Sequence, residues 1–440
     1  MSDPVAEEVD LRRDARECFL AAVAAVEPEA LVRDFLQGFE EVSGEIHLAA
    51  FGKAAPAMAR GAVAVLGDLL VSGVVISPPG HEKETAQLPE RLRSFRGGHP
   101  VPNEEGVEGA RAMRRLAADL GPDDILLCLI SGGGSALMTL PPDDLHLEDV
   151  QATTQALLRA GATIGELNGV RKHLDRLKGG RLAREAAPAR VMAGILSDVV
   201  GDPLDVIASG PVSPDPTTFA EAVEVLQRRG VWGDLSQPVR RHLEAGLQGR
   251  IPESPKEGDP CFQKVEAHIL GNNRRAAAAA LEEARRRGYQ PWLLTTSLEG
   301  EAREVGKILA AVAREIGDSG QPVQAPACIL AAGETTVTVR GSGRGGRNQE
   351  VALGAACSLA GLDRVLVASF GTDGIDGPTH AAGALATGTT VARAQDLDLD
   401  PEKALAENDA CPFFEALDDL IVTGPTGTNV MDLALVLVES

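Results

Sequence analysis

The 440 residues carry 42 Lys and Arg against 64 Asp and Glu, a formal charge of −22, with 44% hydrophobic residues and only 3% aromatic ones. A field of that sign repels nucleic acid and anionic membranes, so neither is expected as a partner, and the Ala/Val/Leu/Gly-rich profile suits packed α/β layers rather than a nucleic-acid stacking platform. The length exceeds one ordinary core and predicts two domains. Six cysteines at 18, 128, 261, 328, 357 and 411 form no Cys-x-x-Cys pair, and the eight histidines form no His-x-x-x-His pair. A disulfide scaffold and a zinc site are therefore disfavoured. A charged N-terminus and the lack of a long apolar run predict a cytoplasmic protein.

In chain order, Asp10 to Phe35 reads as helical, split at Pro28. Ile46 to Phe51 reads as a buried strand ended by Gly52 and followed by a helix to Val65. Strands recur at Val74–Ile76, Ile125–Ile130 and Val191–Leu196, with two or three helices between Leu147 and Ala187. This alternation predicts a mostly parallel, Rossmann-like sheet in an N-terminal α/β domain, residues 1–248. The polar, proline-rich stretch 249–262 reads as a linker or surface loop. Residues 263–440 read as a C-terminal α/β domain with a mixed sheet. Its strands are expected at 268–270, 292–295, 328–332, 337–339, 365–370 and 433–438, with helices from 273 and 301.

Ligands of open α/β sheets sit at the carboxyl ends of strands, and the unusual residues of this chain fall there. Lys53 is one of only eight lysines and follows Gly52 at a strand end. It can approach a phosphate closely, and a solvated surface lysine is the even alternative. Ser131-Gly132-Gly133-Gly134-Ser135 offers bare amides and two hydroxyls to an anion. It matches neither a P-loop nor a hydrolase elbow. Asp198, just past another strand, can take a proton from a hydroxyl or hold Mg²⁺, or it can cap a neighbouring loop. Gly341 to Glu350 satisfies Gly-x-Gly-x-x-Gly, but no acidic residue stands about twenty positions on. Its Arg344 and Arg347 point instead to a phosphate or a carboxylate. Asp373 and Asp376 in a glycine turn can bind Mg²⁺ or serve ordinary turn chemistry. His99, Asn103, Asn168, Arg171 and Lys172 are polar residues near strand ends or helix starts, and each reads more readily as structural than as catalytic.

These turns together resemble the class II glycerate kinase family, whose C-terminal part is the MOFRL domain. The resembling stretches are FGKAAPAMA (51–59), GGHPVPNEEG (97–106), LISGGGSALM (129–138), LNGVRKHLDRLKGGRLA (167–183), ILSDVVGDPLDVIASGP (195–211), GGRNQEVAL (345–353) and FGTDGIDGP (370–378). The resemblance implies phosphorylation of D-glycerate by ATP with Mg²⁺ at the 2-hydroxyl, two α/β domains around a cleft that holds the site, and Lys53 and Arg347 as catalytic residues. On that basis Ser131 to Ser135 are expected to hold ATP phosphates and Asp198 to deprotonate the acceptor. His99, Asn103, Arg344 and Asn348 are expected at the substrate, and Asp373 and Asp376 at the metal. A nicotinamide-dependent hydroxypyruvate reductase is the alternative, because the family has also carried that label. The sequence sets no oligomeric state, and a homodimer stays open.

Overall fold

The computed structural model describes residues 4–37 and 44–440. Contacts divide the chain into two units, Pro28–Leu270 and Met1–Glu27 with Gly271–Ser440.

The unit Pro28–Leu270 is built on six strands: β1 Ile46–Phe51, β2 Leu70–Ser77, β3 Leu92–Arg96, β4 Ile125–Ile130, β5 Arg190–Leu196 and β6 Val265–Gly271. They lie in the order β3-β2-β1-β4-β5-β6. The pairs β3–β2, β2–β1, β1–β4 and β4–β5 are all parallel. β4 is buried along its whole length, which is why Ile125 to Ile130 forms an unbroken apolar run rather than an alternating one. The chain leaves β1 toward β2 and β3 on one side and returns to β4 on the other. The gap between the carboxyl ends of β1 and β4 is therefore a topological switch point. A second apolar cluster in this unit is made by helices alone, with Leu157, Leu167, Phe219, Leu226 and Leu243 at its centre.

The other unit carries β7 Gln290–Leu298, β8 Ala327–Gly333, β9 Val365–Gly371, β10 Gly383–Thr387, β11 Leu420–Ile421 and β12 Asp432–Val438. Their order is β11-β10-β9-β12-β8-β7. Only β7–β8 is parallel, and the other four pairings are antiparallel. The expectation of one mostly parallel and one mixed sheet holds. The strand expected at 337–339 does not form. That segment is extended without ladder partners beyond an isolated bridge between Glu301 and Thr336. Val339 is 74% exposed, so burial gives it no reason to join a sheet.

The division of the chain differs from the expected cut in two respects. The helix Pro4–Ala25 groups with residues 271–440. Phe19 stacks on Phe370 of β9 with ring centroids 4.3 Å apart, and Asp14 accepts hydrogen bonds from Arg287 (2.6 Å) and Tyr289 (3.1 Å). Residues 249–262 do not mark the division, which falls after Leu270. They are tied into the first unit. Ser254 is buried and donates to Asp215 at 2.7 Å, while Glu253 accepts from the amide of Phe219 at 2.9 Å.

Truncating Phe19 to Ala removes a ring that is 1% exposed and should cost roughly 3–5 kcal/mol. Denaturant unfolding of the variant should show that loss. A change below about 1 kcal/mol, the ordinary scale for sites away from a packed core, would mean that the helix does not anchor the unit.

Candidate active site

In the first unit the ends of β1, β4 and β5 converge. Gly52 has φ +126°, and a Cβ there would stand 2.1 Å from Ser131 Oγ. Only glycine lets the β1 turn pass so close to the end of β4. The contact is pinned by hydrogen bonds from Lys53 N to Gly132 O (2.9 Å) and from Ala54 N to Ser131 Oγ (3.0 Å). Gly132 plays the same part toward β5. A Cβ on it would meet Asp198 Oδ2 at 2.0 Å, so the bare Cα is what admits the carboxylate. Gly133, at φ +80°, lies against the His99 ring, and Lys53 Cγ is 3.4 Å from where its Cβ would be.

These contacts place one cation, one carboxylate and one imidazole around the glycine loop. Among the described residues no hydrogen bond or ion pair holds the ammonium of Lys53. Burial pushes the Asp198 carboxyl above its ordinary value, and the nearby Lys53 charge pulls it partly back. The same two influences, burial first and then Lys53, lower the pKa of His99. The loop's second hydroxyl is also committed. Ser135 Oγ is 2.7 Å from Ser209 Oγ, which donates to Asn168 Oδ1 at 3.2 Å. Ala208, Ser209 and Gly210 have φ of 50°, 61° and 58°. Three successive left-handed residues, two of them not glycine, are a costly backbone. Hydrogen bonds from Gly179 N to Ser209 O (2.9 Å) and from Gly180 N to Gly210 O (2.7 Å) hold it.

In the second unit, Arg347 opens the helix Arg347–Leu359. Its guanidinium grips Asp432 with two nitrogens, Nη2 lying 3.0 Å from Oδ1, and Nη1 meets Glu334 Oε1 at 2.8 Å. Asp432 is pushed up by burial and pulled down by Arg347, while Arg347 itself is raised by Asp432. The carboxylates of Asp373 and Asp432 both close on Gly371, their oxygens 3.1 and 3.4 Å from where a Cβ would stand. The fork is thus a structured cation set among acids, about one third exposed on Arg347.

Residues 14–244 match a domain of unknown function, DUF4147, and residues 327–432 match the MOFRL family. The D-glycerate 2-kinase of Thermotoga maritima is 40% identical over 428 residues, spanning 97% of this chain and 98% of that protein. The glycerate 2-kinase of Pyrococcus horikoshii is 40% identical over 407 residues, 92% of this chain and 90% of its own. The crystal structure of the Thermotoga maritima glycerate kinase matches with a TM-score of 0.90, covering 98% of this chain and 99% of that one. The chain belongs to the class II glycerate kinase family.

Against this family background, several expected site residues turn out to be committed elsewhere. Asn103 caps the helix Glu104–Ala118. Its Oδ1 accepts from Gly98 N (2.8 Å) and Gly106 N (2.9 Å), and its amide donates to Arg96 O (3.1 Å), so its acceptor is taken up by the cap and one N–H is left over. Asn348 is 1% exposed and shared between Ser369 (2.6 Å) and Asp376. Asp376 accepts from the amides of Asn348 (3.1 Å) and Gln349 (2.9 Å), one on each oxygen, at the start of the Arg347 helix. That cap takes it away from the expected metal role. Arg344 lies on the surface against Glu415 at 3.2 Å. Gly341 and Gly343 are spaced for packing, because a Cβ on either would strike residues 407–409 at 2.3–2.4 Å. Among the described residues the one group spaced to share an ion is Glu45, His47 and Asp124, which includes neither Asp373 nor Asp376. Arg171, read from the sequence as structural, instead lines a cavity with His99, Gly133 and Ser135. Its signal was the plain one of a basic residue in a helix beside a strand-end cluster.

Burial raises the Asp376 carboxyl to about 6, against the opposing pull of the Gln349 and Asn348 amides. A carboxyl raised in the folded state binds its proton more tightly there than in the unfolded chain, so this group's contribution to stability falls as pH rises through that range. The stability advantage of the wild type over Asp376→Asn should be larger near pH 3 and shrink by about 3 kcal/mol by pH 7. Denaturant unfolding at the two pH values measures it. An advantage that grows with pH would show that the two amides outweigh burial.

Proposed function

We propose that the protein is an ATP-dependent D-glycerate 2-kinase, forming 2-phosphoglycerate and ADP. The observation that carries this reading is Lys53: a cation without an ion pair among the described residues of a strongly acidic chain, set beside the glycine loop and close enough to the carboxylate of Asp198 to lower its pKa. The relatives named as glycerate kinases over nearly the whole chain support the substrate and the regiochemistry.

Phosphoryl transfer demands positioning and charge neutralisation more than covalent chemistry from the protein. The amides of Gly132 and Gly133 bind phosphate oxygens through fixed dipoles, as anion nests do, while that of Gly134 closes the turn onto Ser131 O at 3.3 Å. Lys53 offsets the negative charge on the transferring group. Asp198 orients the acceptor hydroxyl and takes its proton. Burial raises its pKa, which makes the carboxylate a better proton acceptor than an exposed one. Arg347 is the second residue assigned a catalytic role. Its planar fork suits a phosphate or the glycerate carboxylate.

Magnesium is ordinarily held by one or two carboxylates together with substrate phosphates. Asp198 fits that requirement, since no other side chain hydrogen-bonds it, and Asp373 fits it less fully, since it accepts from Ile375 N at 3.1 Å. Asp376 does not fit. Bound there, the ion would supply neutralisation of phosphate charge. The reductase alternative draws no support from the 341–346 glycines. The helix N-terminus that would receive a pyrophosphate already holds the Asp376 carboxylate.

Purified protein with D-glycerate, ATP and Mg²⁺ should release ADP, and enolase added without a mutase should convert the product. Lys53→Ala should lower turnover by about three orders of magnitude, in line with loss of a principal charge-stabilising group, at an unchanged melting midpoint. NADH oxidation on hydroxypyruvate without ADP release from glycerate would contradict the proposal.

A further inference from the structure

The region between the glycine loop and the helical cluster of the first unit is crowded with basic residues, and nearly all are neutralised. Lys172 is bonded to Asp215 at 3.1 Å, and Lys178 is paired with Asp175. Arg176 is paired with Asp143, and Arg184 with Asp259 at 2.9 Å. Arg181 donates to the carbonyl of Lys172. Arg171 is the exception. It stands in the last turn of the helix Ile164–His173, half-buried, and among the described residues no hydrogen bond or ion pair reaches its guanidinium. Burial lowers its pKa, and no carboxylate acts in the opposite direction. A partly desolvated guanidinium without a counter-charge is unfavourable, and proteins that keep one generally use it to receive an anion.

Arg171 faces a cavity of about 300 Å³. None of the residues lining that cavity is an Asp or Glu, in a chain that has 64 of them. The remaining polar groups on the wall are His99, Ser135, Gln151, Thr154 and Gln155. Gly133, also on the wall, is the residue packed against His99 and close to Lys53 Cγ. The cavity therefore opens onto the glycine loop and combines one cation with the polar side chains of His99, Thr154 and Gln155, while Ser135 is held by Ser209 and Gln151 donates to Pro102 O. Its volume sits at the lower limit for small-molecule sites. It suits a three-carbon hydroxy acid and is too small to enclose a nucleotide triphosphate.

We propose that Arg171 binds the carboxylate of the acceptor and that this cavity is the acceptor pocket, which selects a short hydroxy acid over a neutral alcohol. The inference rests on the kinase reading for the identity of the acid, and on the cavity alone for the class of ligand. A guanidinium fork and a carboxylate match in two parallel N–H···O bonds, which fixes the orientation of the acid and so which hydroxyl points at the glycine loop. A lysine would supply charge without that orientation.

The test is calorimetric titration of D-glycerate into the wild type, Arg171→Gln and Arg171→Lys, with steady-state kinetics alongside. Loss of a charge-assisted pair should weaken D-glycerate binding about 10- to 100-fold in Arg171→Gln. Arg171→Lys should fall between, and KM for ATP should stay within about threefold, the scatter expected of a residue that does not touch the nucleotide. Because Arg171 has no partner to orphan, the melting midpoint should hold or rise, whereas a structural arginine would lower it. Equal D-glycerate binding by wild type and Arg171→Gln overturns the proposal even if the wild type proves an active kinase. A raised KM for ATP with unchanged D-glycerate binding also overturns it and gives the residue to the nucleotide. Wild type that fails to bind D-glycerate overturns it too. Binding that depends on Arg171 in a protein that forms no ADP would sustain the pocket and reject the kinase.

Discussion

The arrangement depends on one steric fact, the missing Cβ of Gly132. The carboxylate of Asp198 occupies the volume that any side chain at 132 would need. The ends of β4 and β5 can approach only on that condition. Gly52 makes the matching concession between β1 and β4. The parallel sheet brings three strand ends to one edge, but a parallel sheet alone leaves its turns at ordinary separation. The two glycines let backbone lie on backbone, so that loop amides, an ammonium and a carboxylate share a small space. The raised pKa of Asp198 and the lowered pKa of His99 follow from the same crowding. The left-handed run Ala208–Gly210 braces the far side of the loop through Ser209 and Ser135.

The second unit solves a different problem with similar means. Its Arg347 helix begins with Asp376 as the cap, and the bare Cα of Gly346 makes room for that carboxylate, 2.3 Å from where a Cβ would stand. Asp432 and Glu334 then hold the Arg347 fork in place. A cation kept in position by acids is pre-organised, and it loses little side-chain entropy on meeting a further anion.

Much of this was legible in the sequence. The strand-then-glycine pattern located β1, β4 and β5, because buried parallel strands leave long apolar runs and their turns need glycine. Lys53, Ser131 and Asp198 were found by position at those ends, and the structure brings them together. The misreadings have a common physical cause: a polar residue in a turn is visible in the sequence, but its hydrogen-bond partner is not. Asn103 and Asp376 look like ligands until their oxygens are seen to accept from backbone amides, those of Gly98 and Gly106 for Asn103 and those of Asn348 and Gln349 for Asp376. Arg171 looks structural until its neighbours prove to be paired and it does not. The N-terminal helix was assigned to the wrong side of the division because its partners, Phe370 and Arg287, lie hundreds of residues away. Residues 337–339 have the composition of a strand but no adjacent edge to pair with.

The account's central claim is chemical, and the most direct measurement is proton-coupled phosphorus NMR of the product formed from D-glycerate and ATP. An ester on the 2-hydroxyl couples to one proton and gives a doublet, which is the result the account predicts. A triplet would place phosphate on the 3-hydroxyl, and the absence of any phosphate ester would remove the kinase altogether. Either would contradict the assignment of Asp198 to the 2-hydroxyl.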